Sequence, residues 1–250
     1  MIERGVGGIV LFGRNVENPE QVKKLCNALK KKAKNRPLLI CVDQEGGRVA
    51  RIGPPLSSIP PARELSKSQD AMAAASTAGQ VLGRELRELN IDMNFAPVMD
   101  VDTNPANPVI GDRSFSHDPS VVSEMGSHFI HALQGKGVAA CAKHFPGHGD
   151  THLDSHLSLP TVHHSMERLE QIELEPFAAA ITADVAAVMV AHIVAPAFGG
   201  EPVPASIDKE VIGYLRHTMG FQGVIATDDM EMGCSFAEMT VGWPRTVFFR

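Results

Sequence analysis

Along this chain short apolar runs alternate with longer amphipathic ones. The apolar runs are GGIVLF (7–12), PLLICVD (37–43), MNFAPVMD (93–100), GVAACAKHF (137–145), DVAAVMVAHI (184–193) and GVIATDD (223–229). They are continuous, without the polar alternation of a strand that has one wet face, so each reads as a strand buried on both sides of a parallel sheet. The stretches between them carry helical signals. Asn18-Pro19 opens a helix with Val22, Leu25, Cys26 and Leu29 on one stripe. Asp70 caps a second helix running to about Leu89, with Leu82, Leu86 and Leu89 inward. Asp118-Pro119 starts a third, to about Gln134, with proline in the first turn where its missing N–H costs nothing. Ser165 begins a helical region to about Ile181, and Ser206 precedes a helix that Gly220 ends as a C-cap.

Strand–helix alternation of this kind fits an open doubly wound sheet or a barrel. Neither GxGxxG nor GxxxxGK[ST] follows any of the strands, so nucleotide-binding versions lose support. Polar and reactive groups follow the strands instead: Asp43, Asp100, Lys143-His144, His192 and Asp228. Such groups gathered at strand carboxyl ends describe the active face of an α/β (β/α)8 TIM-type barrel. Six strands are recognisable where closure needs eight, so the barrel is expected to be incomplete.

Composition narrows the function classes. With 250 residues and 44 % hydrophobic content a large core can form. The net charge is −6, and KKKAK at 30–34 is an isolated basic run, which argues against nucleic acid as the main partner. No apolar stretch approaches the roughly 18 residues of a membrane span, and MIERGVGG has no apolar signal core; a cytoplasmic location is the expectation. Cys26, Cys41, Cys141 and Cys234 are far apart without CxxC spacing, which suits free thiols. Nothing calls for a cofactor, and nothing speaks to oligomeric state.

The densest chemistry lies in KHFPGHGDTHLDSH (143–156), which places histidines at 144, 148, 152 and 156. That is helical spacing, yet Pro146, Gly147 and Gly149 forbid a regular helical face. Three readings stand: a metal site, a loop whose histidines cap and hydrogen-bond, or an acid–base site. For the last, Asp154 lies two residues before His156, close enough to fix the tautomer of the ring and raise its proton affinity. Asp228 ends an apolar strand, where a carboxylate must be hydrogen-bonded or used, whereas Asp229 reads as a helix cap. Asp43, Arg48 and Arg51 in DQEGGRVAR, Arg113 in IGDRSF, and Lys143-His144 could bind hydroxyls or an anion.

These segments, with NFAPVMDVDTNPANPVIGDRSF and GVIATDDMEMG, resemble the β-N-acetylhexosaminidases of glycoside hydrolase family 3, from about Gly5 to Gly233. The resemblance implies a barrel that removes terminal β-linked N-acetylglucosamine, typically from cell-wall peptidoglycan fragments. Carried over position by position, Asp228 matches the nucleophile and His156 the acid/base, with Asp154 as its partner. Asp43, Arg51, Arg113, Lys143 and His144 match the residues that hold the sugar hydroxyls. Residues 1–233 would then be the barrel domain. Relative to the family, the chain is expected to be truncated at both ends: a preceding strand is missing, and after MEMG it reads CSFAEMTVGWPRTVFFR (234–250), an atypical tail in which VFFR has no evident place. Alternatives are a phosphorylase or β-glucosidase on the same barrel, a metal-dependent hydrolase, or an inactive fragment that only binds sugar.

Overall fold

The computed structural model describes residues 6–34, 36–152, 159–199, 203–230 and 248–249. In chain order the elements are β1 (Gly8–Leu11), α1 (Pro19–Ala33), β2 (Leu39–Val42), a hairpin of β3 (Gln44–Gly46) and β4 (Val49–Ala50), α2 (Ala62–Leu65), α3 (Ala71–Glu88), β5 (Met93–Asn94), α4 (Pro119–Gln134) and β6 (Ala139–Phe145). There follow α5 (Met166–Arg168), which runs through a π-helical turn (Leu169–Glu173) towards α6 (Glu175–Thr182), then β7 (Ala187–Val190), α7 (Lys209–Gly213) with a further π turn (Tyr214–Thr218), β8 (Val224–Thr227) and β9 (Phe248–Phe249).

β1, β2, β5, β6, β7 and β8 pair in that order, all parallel, and form a curled half-barrel. All six expected strands are therefore present, in an α/β arrangement with helices on the outer face. Alternation along each strand separates two sets of side chains. Ile40, Val42, Ala140, Ala142, Val188 and Val190 join the large core beneath the helices. Cys41, Met93, Phe95, Cys141, Ala187 and Met189 pack on the inner, concave side. Lys143 stands two residues beyond Cys141 and so belongs to the inner set, which carries its ammonium to the carboxyl end of the half-barrel.

The helices start where the capping residues say they should. Asn18, Asp70, Asp118 and Ser165 each accept a hydrogen bond from a backbone N–H of the first turn. α3 and α4 approach closely because Gly79 and Gly83, one helical turn apart, lie against α4: a Cβ at Gly79 would meet the Phe129 carbonyl at 2.6 Å. Leu82 and Leu86, fully buried in this interface, each contribute about 1.5–3 kcal/mol of hydrophobic stabilisation.

Two details differ from expectation. Regular pairing of MNFAPVMD stops at Asn94, because Pro97 has no N–H to offer a ladder; Val98 rejoins the sheet as a single bridge to Lys143. Asn94 extends the pairing with its side chain, accepting from Gln44 N at 3.0 Å and donating to Gln44 O at 2.8 Å. Ser206 precedes the last helix as expected; it is buried, its hydroxyl lies 2.7 Å from His192 Nδ1, and Asp208 caps the helix at Glu210. Phe248 and Phe249 of the tail do find a place, pairing antiparallel with Ala226 and Ile225. Cys26, Cys41 and Cys141 are free and buried, with burial holding Cys26 up at about 11 and Cys41 at about 12, too high for a reactive thiolate; Cys234 lies outside the described residues. Among the described residues no helix is long and apolar enough to cross a membrane.

Candidate active site

The carboxyl ends of β2, β6 and β8 meet around a buried ion cluster. Asp43 directly follows β2, and Glu45 lies two residues on, on the same side of the extended chain. Lys143 Nζ bridges them, 2.8 Å from Asp43 Oδ1 and 2.6 Å from Glu45 Oε1. Arg113 clasps Glu45 in a two-pronged contact, Nε to Oε2 at 2.9 Å and Nη2 to Oε1 at 2.8 Å. Burial alone would push the Glu45 carboxyl up, but Lys143 and Arg113 overcome it and hold it near 2. Lys143 is in turn kept charged, because Asp43 and Glu45 outweigh its burial.

Asp228 extends β8, its N–H donating to Val190 O at 2.9 Å, while its Oδ1 accepts from Asp229 N at 2.8 Å. Burial again works against its charge, and the His144 ring, the Asp229 N–H, His192 and Lys143 together hold its carboxyl below the usual range. It is therefore an anion at neutral pH with its second oxygen uncommitted to Asp229, the state a nucleophilic carboxylate needs. His192, fully buried, reaches back to the Asp229 carbonyl through Nε2 at 3.0 Å and so ties the end of β7 to the residue after Asp228.

The histidine loop grows out of the end of β6. Asp100, fully buried, holds its base: Oδ2 lies 2.7 Å from His144 Nδ1 and accepts from His144 N at 3.2 Å, and Oδ1 accepts from His148 N at 2.6 Å. Those contacts keep Asp100 ionised despite its burial. His148 is buried, its Nδ1 lies 2.7 Å from Thr151 Oγ1, and burial followed by the neighbouring His144 lowers its proton affinity. Asp150 leans outward to His164, Oδ2 to Nε2 at 2.6 Å. Gly147, at φ +124°, adopts a backbone that other residues resist. Gly149 lies so close to the Val101 backbone that a Cβ there would collide with its carbonyl oxygen. Gly149→Ala is accordingly expected to lower stability by about 1–3 kcal/mol, the cost of overpacking a closed site; a urea melt with an unshifted midpoint would contradict this packing.

The structure thus brings Asp43, Arg113, Lys143, His144 and Asp228 together. Arg51 stands at the margin, its Nη2 3.7 Å from Asp43 Oδ2. Asp154 and His156 lie outside the described residues. Arg48 differs from its expected role: Nε meets Asp112 Oδ1 at 3.0 Å and Nη2 donates to Val109 O at 2.7 Å, so it locks the 109–112 turn rather than facing a ligand. Glu45 was not singled out by the sequence, although its place two residues after Asp43 in an extended segment put both carboxylates on one side.

A model of the glycosyl hydrolase family 3 N-terminal domain matches residues 1–242. The chain belongs to glycosyl hydrolase family 3. Among its family 3 relatives, beta-hexosaminidase of Xanthomonas oryzae pv. oryzae (strain MAFF 311018) is 41 % identical over 237 residues, which cover 93 % of this chain and 70 % of that protein. Beta-hexosaminidase A of Pseudoalteromonas piscicida is 40 % identical over 255 residues, covering 91 % of this chain and 41 % of its own length. Among solved family 3 structures, a β-N-acetylglucosaminidase from Paenibacillus sp. str. FPU-7 superposes with a TM-score of 0.88 at 46 % identity, over 91 % of this chain and 44 % of that one. NagZ from Neisseria gonorrhoeae, in complex with N-trifluoroacetyl-D-glucosamine, superposes at 0.85 with 38 % identity, over 91 % of this chain and 68 % of that one. This family 3 chain thus spans between 41 % and 70 % of the length of these two curated relatives.

Proposed function

We propose that this family 3 chain is a retaining exo-glycosidase acting on terminal β-linked N-acetylglucosamine, with GlcNAc-containing cell-wall fragments as substrates in the cytoplasm. The observation that carries the reading is an ionised Asp228 at the end of β8 facing the hydroxyl-binding array of Asp43, Arg113, Lys143 and His144. In the first step the Asp228 oxygen not bonded to Asp229 N attacks the anomeric carbon. The glycosidic C–O bond breaks, and His156 gives its proton to the departing oxygen, leaving a glycosyl-aspartate ester. Water then attacks the same carbon, His156 takes up its proton, and Asp228 leaves as carboxylate, so two inversions retain the configuration. Asp154, two residues before His156, orients the ring and supports its positive charge. An imidazole, with an ordinary pKa of about 6.5, gives and takes protons near neutrality without the upward shift a carboxylic acid would need.

The test is hydrolysis of an aryl N-acetyl-β-glucosaminide, with the β-anomer of the sugar as the first product and a product mixture unchanged by added phosphate. His156→Ala is expected to slow poor leaving groups about 10²–10⁴-fold, the usual worth of a general acid, and activated dinitrophenyl glycosides far less. Equal losses on both would count against the histidine's role.

A further inference from the structure

Asn107, on the connection between β5 and α4, is buried, and both ends of its amide are engaged. Nδ2 lies within donating distance of four acceptors on the histidine loop: His148 O at 2.8 Å, Gly149 O at 3.2 Å, Thr151 O at 3.1 Å and Thr151 Oγ1 at 3.2 Å. Oδ1 accepts from Val109 N at 2.9 Å and Ile110 N at 2.8 Å. That turn leads directly to Arg113, whose Nη1 donates back to Val109 O at 3.3 Å while its other nitrogens clasp Glu45. One amide therefore joins the turn that carries a sugar-holding guanidinium to the loop from which the segment bearing Asp154 and His156 continues.

We infer that Asn107 is a positioning residue that registers residues 148–151 of the histidine loop, from which the sequence runs on to the proposed acid/base His156, against the Arg113 side of the sugar site. The inference rests on the function proposed above for the identity of the acid/base. Its physical basis is the uneven chemistry of the amide. Asn104, the neighbouring buried asparagine, also reaches the histidine loop, its Nδ2 donating to Thr151 O at 3.2 Å and lying 3.1 Å from His152 Nδ1, while its Oδ1 accepts from Ala106 N. Of the two, it is Asn107 that holds the 109–110 turn leading to Arg113. A carboxylate in its place would keep the Oδ1 contacts to Val109 and Ile110 but lose every donor bond, setting an anion against three carbonyl oxygens.

Asn107→Asp is thus the discriminating variant, being nearly the same shape. Steady-state kinetics would compare a GlcNAc-terminated disaccharide with a dinitrophenyl N-acetyl-β-glucosaminide. The expected result is a fall in kcat of roughly a hundredfold on the disaccharide, whose leaving group needs a proton, against less than about tenfold on the activated glycoside, with KM little changed. Hydrogen–deuterium exchange should quicken in the peptide covering 146–152 while β6 and β7 keep their protection. Equal losses on both substrates overturn the inference, and so does unaltered exchange in 146–152. If the unsubstituted chain turns over neither substrate, the proposed function fails, and the exchange measurement still decides whether Asn107 anchors the loop.

Discussion

Asp228→Asn is expected to abolish turnover of an aryl N-acetyl-β-glucosaminide, by at least about a thousandfold in kcat, the scale seen when a covalent nucleophile is removed. The carboxamide has the size of the carboxylate and can still accept the Asp229 N–H through its oxygen, so the backbone around it has no reason to move. What disappears is the negative charge that His144, His192 and Lys143 stabilise, and with it the oxygen able to bond the anomeric carbon. Because the proposed mechanism loses a reacting atom, the effect should be nearly independent of the leaving group, unlike the His156→Ala loss. Binding of N-acetylglucosamine, read by a thermal shift, should persist. An Asn variant that keeps a tenth of the activity would remove Asp228 from the mechanism.

The second large effect is on stability. Lys143→Met keeps the bulk of the side chain and deletes its charge, leaving Asp43 and Glu45 side by side with only Arg51 at 3.7 Å and Arg113 to compensate. Removing one member of a buried ion pair costs about 3–5 kcal/mol, because the partner charge stays buried. The same cluster sets an acid limit. Glu45 has its carboxyl depressed from 4.5 to about 2, so its contribution is fully present above about pH 4.5 and is lost as pH falls towards 2. The depression corresponds to about 3 kcal/mol, and Asp100 and Asp228, also depressed, lose stability in the same direction. Urea unfolding at a series of pH values should show the midpoint dropping steeply below pH 4.5, and the drop should be shallower in Lys143→Met. Parallel curves for the two proteins would mean that Glu45 owes its charge to something else.

Much of this architecture was legible in the residues themselves. Six two-sided apolar runs became six parallel strands, and Asn18, Asp70, Asp118 and Ser165 capped the helices they precede, because both signals are local. Lys143 could be placed for the same reason: alternation along a long strand dictates its side. What escaped was non-local. Glu45 acquires its meaning from Arg113, 68 residues away, and Asn107 from a loop about 40 residues further on. Arg48 and Arg51 looked alike by residue type and place, the resemblance chose Arg51, and the 109–112 turn engages Arg48. Ser206 marked the approach to the last helix, but its contact with His192, just past β7, is non-local. Spacing offered Asp154 and His156 as an acid–base pair among other readings, and the resemblance chose that one.

β6 carries the lysine of the charge cluster, the histidine of the loop base and the aromatic ring that anchors the outer core, within seven consecutive positions. Anyone evolving this scaffold toward a different sugar should therefore expect libraries at Ala139–Phe145 to yield mostly insoluble clones, since each change there alters recognition and folding at once. Diversity at Arg48 and Asp112, whose side chains are about half exposed and lie outside β6, offers a gentler route to reshaping the rim.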